Sequence, residues 1–277
     1  MGLRIATNVA SINAQRHLDE SQRHINKSFA QLSSGERITK AADDAAGLAI
    51  SENLKTRIRG QEQAKRNALD AGSLVQVAEG GLNEISNILT RLRELGVQAA
   101  SDTVGAAERG FINKEVMQLK NEAQRIAETT RWGDTNLLNG QGGQFDFQVG
   151  IFNNDFQDRI SFNAEELDAN LNTLGVDGLD FATKEGAQEA LSIVEGAQLT
   201  VNGYRANLGA IQNRLVSTQS NLAIAHENLS AANSRIRDAD VAEATATLTK
   251  NNILLNATTG ILSQANQAPG MALKLIG

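Results

Sequence analysis

The sequence contains no cysteine, which excludes a disulfide scaffold, a thiolate metal site and thiol catalysis. Its 277 residues include one proline, Pro269, where an average usage of about 5 % would supply roughly 14. Such scarcity argues against a loop-rich or β-rich fold and for long uninterrupted helices. Aromatic residues make up 4 %, so Leu, Ile, Val and Ala must build the core. With 26 basic and 32 acidic side chains the net charge is −6. No basic face is forced by those totals, and nucleic acid is not an expected partner.

No cleavable leader is expected, because Met1–Ala6 does not open an apolar run with a small-residue cleavage site. The stretch from Asn251 to Leu273 carries no charge and is long enough to span a bilayer. It holds Asn251, Asn252, Asn256, Gln264, Asn266 and Gln267, however, and bare amides are expensive in hydrocarbon. A buried protein–protein position suits it better than membrane insertion. His17 and His24 stand seven apart on one helix face, but without carboxylates at matching offsets they make no metal site. No HExxH, P-loop or GxSxG pattern occurs, and Gly140-Gln-Gly142-Gly143 follows no strand of a dinucleotide fold. The expectation is therefore a non-enzyme with no catalytic, cofactor-binding or metal-binding residues and no cofactor.

What is present is helical periodicity. Ala187, Ala190, Val194, Ala197, Val201, Tyr204, Leu208, Ile211, Leu215, Thr218, Leu222, Ala225, Leu229, Ala232, Ile236 and Ala239 advance in steps of 3 and 4, and only Thr218 among them is polar. That pattern predicts one coiled-coil helix about 53 residues, or roughly 80 Å, long. Val75, Ala78, Leu82, Ile85, Leu89 and Leu92 keep the same rhythm, as do Ile112, Val116, Leu119, Ala123 and Ile126, with a break from Ser101 to Gly105 between the two sets. Towards the N-terminus the stripes are Ile5, Val9 and Ile12, then Leu18, Ile25, Phe29 and Leu32. Gly35 is placed to end that helix, and Asp43 and Asp44 to start the next. Beyond Ala239 the register changes, and Val241, Leu248, Leu255 and Leu262 repeat every seven residues.

One region departs from helix. Phe145, Phe147 and Val149 alternate, Asn153-Asn154-Asp155 supplies a turn, and Ile160 and Phe162 resume, which predicts a β-hairpin near 144–163. Charge divides the chain similarly: residues 1–70 carry +3, residues 140–190 carry −8, and residues 191–277 carry +1. Ends that associate and an acidic middle that faces water are the expectation. The fold class is mainly α: an elongated coiled-coil helical hairpin or bundle, with paired N- and C-terminal helices and a small β-hairpin at the distal tip.

Several long motifs resemble a family. Leu32-Ser-Ser-Gly35-Glu-Arg-Ile-Thr-Lys-Ala-Ala-Asp43-Asp44-Ala-Ala-Gly47-Leu-Ala-Ile-Ser51 is similar to the N-terminal signature of bacterial flagellins. Ser234-Arg-Ile-Arg-Asp-Ala-Asp240 and Gln264-Ala-Asn-Gln267-Ala-Pro269 resemble their C-terminal signature, and Leu208-Gly-Ala-Ile-Gln-Asn-Arg214 and Gln148-Val-Gly150 are similar again. The likeness covers about residues 1–135 and 190–277. It implies a structural subunit that self-assembles into the extracellular flagellar filament for swimming and leaves the cell by the flagellar type III route. It also implies a division of labour: residues 1–40 and 241–277 as the inner filament core, 41–139 and 187–240 as a helical rod, and 140–186 as a short acidic tip. A hook–filament junction protein has similar ends and is the second reading.

From the same resemblance follow the partners: the chain itself, the flagellar cap, hook-associated proteins and an export chaperone. The coiled-coil positions expected to carry assembly are Val75, Leu82, Leu89, Val201, Leu208, Leu215, Leu222, Leu229, Ile236, Leu248, Leu255 and Leu262. The segments 1–35 and 241–277 are expected to be largely disordered in the monomer and to fold on assembly. A further implied partner is an animal Toll-like receptor, met through Arg91, Leu95 and Glu115. Gly96 stands where Ala is more usual and Trp132 where Phe usually precedes Gly.

Overall fold

The computed structural model describes residues 7–276, without the side chains of residues 268, 269 and 271–276. Ile5 of the first stripe and the side chains of Pro269 and Leu273 therefore lie outside the described residues. The chain runs α1 (Val9–Ser34), α2 (Ala45–Ala99), α3 (Ala106–Thr129), β1 (Arg131–Trp132), β2 (Thr135–Asn136), β3 (Gln144–Gln148), α4 (Asp155–Asp158), β4 (Arg159–Asn163), α5 (Lys184–Arg237) and α6 (Val241–Ile276). It divides into two compact units, residues 57–227 and the two ends, 1–56 with 228–277.

In the central unit the heptad stripes meet. Val75, Ala78, Leu82, Ile85, Leu89 and Leu92 of α2 are at most 1 % exposed. They share a core with Ile112, Val116 and Ala123 of α3 and with Ala187, Ala190, Val194, Ala197, Val201, Leu208 and Leu215 of α5. Arg109 holds the α2–α3 turn by donating to the carbonyls of Ala99 (2.8 Å) and Ser101 (2.9 Å). α5 runs antiparallel to α2: Gln219 donates to the Ala68 carbonyl at 3.0 Å, and Gln198 to Thr90 at 3.1 Å.

The expected hairpin is present. β3 and β4 pair antiparallel with Phe145 opposite Phe162 and Phe147 opposite Ile160. Two features around it were not expected. Residues 131–136 form a second, minimal ribbon, Arg131 opposite Asn136, turned by Gly133 at φ 59°. Residues 164–183 form no projecting end but a strap along α3. The Gln124 side chain accepts from Leu171 N–H (3.1 Å), and Asn113 accepts from Phe181 N–H (3.2 Å) and donates to Asp180 (2.9 Å). The strap thus keeps Glu165, Glu166 and Asp177 exposed while Leu171, Leu174, Val176, Leu179 and Phe181 enter the core.

In the end unit α1 and α6 pair. They are antiparallel, because Asn8 donates to the Ala265 carbonyl (2.7 Å) and Gly35 accepts from Ala239 N–H (2.9 Å). Gly35 ends α1 in the left-handed conformation, φ 73°, its N–H on the Gln31 carbonyl. Asp44 opens α2 by accepting from Gly47 N–H at 2.8 Å. Gly47 must lack a side chain, since a Cβ there would lie 2.9 Å from Ile38 Cδ1, which is itself 1 % exposed. Asp43 does not start the helix. It closes the preceding turn on Thr39 and Lys40 and pairs with Lys27 at 3.0 Å.

Candidate assembly surfaces

The α1–α6 seam is built from small residues. On α1 the buried positions are Ser11, Ala14, Ser21 and Ser28, interleaved with half-buried Leu18, Ile25 and Leu32. On α6 they are Ala244, Asn251 and Ala265, interleaved with half-buried Leu248, Leu255, Thr258 and Leu262. Both sets follow the 3-and-4 step of a coiled coil. Its polar members are satisfied: Ser11 donates to Asn266 (2.9 Å), and Asn251 donates to the Thr247 carbonyl of its own helix (2.8 Å).

Other large apolar residues of these helices lie outside the seam. Val9, Ile12 and Phe29 are 60 %, 58 % and 66 % exposed, and Val241, Ile253 and Ile261 are similarly open. Val9 and Ile12 of the first expected stripe are therefore exposed, as is Phe29 of the second, whose Leu18, Ile25 and Leu32 line the seam. Of the seven-residue repeat, Val241 is exposed while Leu248, Leu255 and Leu262 line the seam. A scattered exposed Leu needs no explanation, but so many exposed Ile, Val and Phe on two paired helices mark interaction surfaces.

Where the two connectors meet, a joint of charges forms. Arg37 N–H donates to the Arg237 carbonyl at 2.6 Å, and the Arg37 guanidinium donates to the Ile236 carbonyl (Nη2, 2.6 Å). Arg237, 15 % exposed, pairs with Glu36 at 2.8 Å and also with Glu52. The hydrogen bonds it donates to Glu36 and then Glu52 hold its guanidinium above its ordinary pKa. Beside it Ser51 donates to Asn233 at 2.8 Å. Lys27, through its hydrogen bond, lowers the Asp43 carboxyl to about 2. Residues of both quoted signatures, Leu32–Ser51 and Ser234–Asp240, thus come together here.

The other expected site residues separate into groups. Val75, Leu82, Leu89, Val201, Leu208 and Leu215 are buried in the central unit's own core, and Leu222, Leu229 and Ile236 continue that stripe half-buried. Arg91 is exposed and pairs with Glu94 and Glu115, each at 2.9 Å, which raise its pKa, Glu94 most. Leu95, expected at the same surface, is 2 % exposed. It continues the Leu89–Leu92 stripe inward, beneath the Arg91–Glu115 pair. Among the described residues no cluster of three or more His, Asp or Glu is placed to hold a metal ion, and no helix is long and apolar enough to cross a membrane.

The profile of the bacterial flagellin N-terminal helical region matches residues 5–142, and that of the flagellin C-terminal helical region matches residues 191–276. The chain belongs to the bacterial flagellin family. It is 39 % identical over 269 residues to a flagellin from Halalkalibacterium halodurans, covering 97 % of this chain and 98 % of that one. It is 33 % identical to polar flagellin F of Vibrio parahaemolyticus over all of both chains. That alignment runs to 377 positions against 277 residues here, so the Vibrio protein carries sequence this flagellin does without. The crystal structure of Bacillus cereus flagellin superposes with a TM-score of 0.51 at 29 % identity, over 57 % of this chain and 88 % of that one. The protein is a structural subunit of the flagellar filament, an extracellular homopolymer that serves motility, and not an enzyme.

Proposed function

We propose that the α1–α6 pair is the element by which copies of this flagellin join, and that the pair is completed only in the filament. The observation that carries this is how little of the pair is covered. The fully buried positions are Ser, Ala and Asn, and the seam's Leu18, Ile25, Leu32, Leu248, Leu255 and Leu262 are only half-buried. Val9, Ile12, Phe29, Val241, Ile253 and Ile261 are exposed. A seam of Ser11, Ala14, Ser21, Ser28, Ala244, Asn251 and Ala265 removes little apolar area from water, and burying such area is what stabilises a coiled coil. Neighbouring copies supply the missing cover. Residues 1–40 and 241–277 then form the inner core, 41–139 and 187–240 the rod, and 140–186 the outer acidic region, its strap bound to α3.

Heterologous contacts that do not close build a helical filament, so each copy must carry complementary faces. The same exposed ends suit the further partners the family implies: an export chaperone on the type III route, the cap, and the hook-associated proteins. An animal Toll-like receptor would meet the exposed Arg91–Glu115 pair, with Leu95 supporting it from below.

The test replaces outer-face residues only. Ile253→Asp with Ile261→Asp leaves the monomer's melting temperature within about a degree, since surface changes cost less than about 0.5 kcal/mol, and abolishes polymerisation in a sedimentation assay. A doubly substituted chain that polymerises like the parent contradicts the proposal.

A further inference from the structure

The hairpin connection Ile151–Asp158 is short, tied by hydrogen bonds, and carries two exposed aromatic rings. Asp158, 7 % exposed, accepts from Phe152 N–H (3.4 Å) and Asn154 N–H (3.0 Å). The Asn154 side chain accepts from Phe156 N–H (3.1 Å) and Gln157 N–H (3.2 Å). Arg159 ties the outside of the turn through Asp155 and Asn153, both at 2.5 Å. This network holds Phe156 at 92 % exposure with Phe152 at 62 % beside it. A preorganised backbone that displays an aromatic ring to water has already met the ordering cost of binding, and buried aromatics are the usual anchors of interfaces.

The solvent face of α5 has the opposite relief. Leu199, Gly203, Ala206 and Ala210 lie at i, i+4, i+7 and i+11, on the side of the helix away from Val201 and Leu208. Leu199 is 69 % exposed, Ala206 and Ala210 are exposed, and a Cβ placed on Gly203 would meet nothing within 4 Å. No carboxylate occurs between Glu195 and Glu227, and the fixed charges there are Arg205 and Arg214. The exposed surfaces of α2 and α3 carry mixed charge by contrast: Arg66, Arg91 and Glu94 on one, Glu115, Glu122 and Arg125 on the other.

We propose that the Phe152–Phe156 crest of one copy docks on the Leu199–Ala210 face of α5 of a second copy. The crest is the knob and the small-residue face the socket. Charge agrees with shape, since the net −8 of residues 140–190 meets a stretch, Leu199–Ala210, whose one fixed charge is Arg205. Knob and socket are different patches of one chain, so the contact is heterologous and repeats without closing. The inference rests on polymerisation by this flagellin and adds a contact outside its terminal helices.

The absence of cysteine makes the test clean. Phe156→Cys and Ala206→Cys are introduced singly and together, and the chains are treated with a short bis-maleimide as dilute monomer and as filament. The double variant is expected to give a ladder of covalent oligomers from filament and none from dilute monomer. A mixture of the two single variants is expected to stop at dimers. Filament that forms but gives no ladder overturns this contact while leaving the terminal-helix reading intact. If the double variant fails to polymerise, Phe156→Ser decides. The contact requires it to raise the critical concentration at least about tenfold, because burying a Phe side chain is worth more than one decade of equilibrium constant. An unchanged critical concentration overturns the proposal.

Discussion

Arg237 and Glu36 stand 2.8 Å apart across 201 positions of sequence, and their pair joins the α1–α2 connector to the end of α5. The Arg237 fork also reaches Glu52, so one side chain ties three segments of the end unit. A planar guanidinium can serve two carboxylates at fixed angles; a lysine ammonium on the same stem cannot.

Arg237→Ala is expected to cost the monomer about 1–2 kcal/mol, because the arginine is mostly buried while both partners remain partly in water. Arg237→Lys is expected to recover less than half of the loss. Chemical denaturation followed by circular dichroism reads both, and a loss below about 0.3 kcal/mol for the alanine variant would show that the joint holds without the fork.

Asp43 makes the joint sensitive to acid. Its carboxyl is lowered from 3.8 to about 2, chiefly by the hydrogen bond to Lys27. A depressed carboxylate stabilises the fold above its unfolded pKa and loses that contribution as pH falls through the folded value, here between about pH 4 and 2. In assembled filament, where α1 is held, the parent should therefore lose more thermal stability than Asp43→Asn over that window, and the two should run parallel above pH 5. Parallel curves through the whole range would contradict the assignment. The difference should stay small, since Lys27 is about half exposed and solvent screens the pair.

Leu208→Ala should behave in the opposite way to an outer-face substitution. Leu208 is 0 % exposed in the core shared by α2, α3 and α5, and truncating a buried leucine costs about 2–5 kcal/mol. The monomer should melt earlier, and polymerisation should fail only where the central unit is itself unfolded. A stable Leu208→Ala monomer would show that this stripe faces a neighbour instead of the subunit's own core.

The long helices were legible because their inward residues are apolar. Every position from Ala187 to Ala239 in the 3-and-4 rhythm is buried or half-buried, and Gly35 ends α1 as its place after Leu32 suggests. The terminal seam was misread for the converse reason. Its fully buried residues, Ser21, Ser28 and Asn251 among them, are small or polar. Hydrophobicity, which did find the half-buried Leu18, Ile25, Leu32, Leu248, Leu255 and Leu262, also singled out Val9, Ile12, Phe29 and Val241, all of them exposed. Extending the 3-and-4 step through serine and alanine would have found the seam. The strap hides differently. Leu171, Leu174, Val176, Leu179 and Phe181 keep neither a helical nor a strand period, and their burial depends on partners such as Gln124 and Asn113, far off in sequence. Leu95 looked like surface beside Arg91 and Glu94, yet the helical repeat places it with Leu92 in the core.

The most direct measurement is amide hydrogen exchange of residues 9–34 and 241–267, read by mass spectrometry on dilute monomer and on assembled filament. If neighbouring copies complete the terminal helices, these segments exchange rapidly in the monomer and become strongly protected in the filament, while the core around Leu82 and Leu208 is protected in both. Strong protection of both ends in the dilute monomer would show that the small-residue seam suffices alone, and would contradict the account.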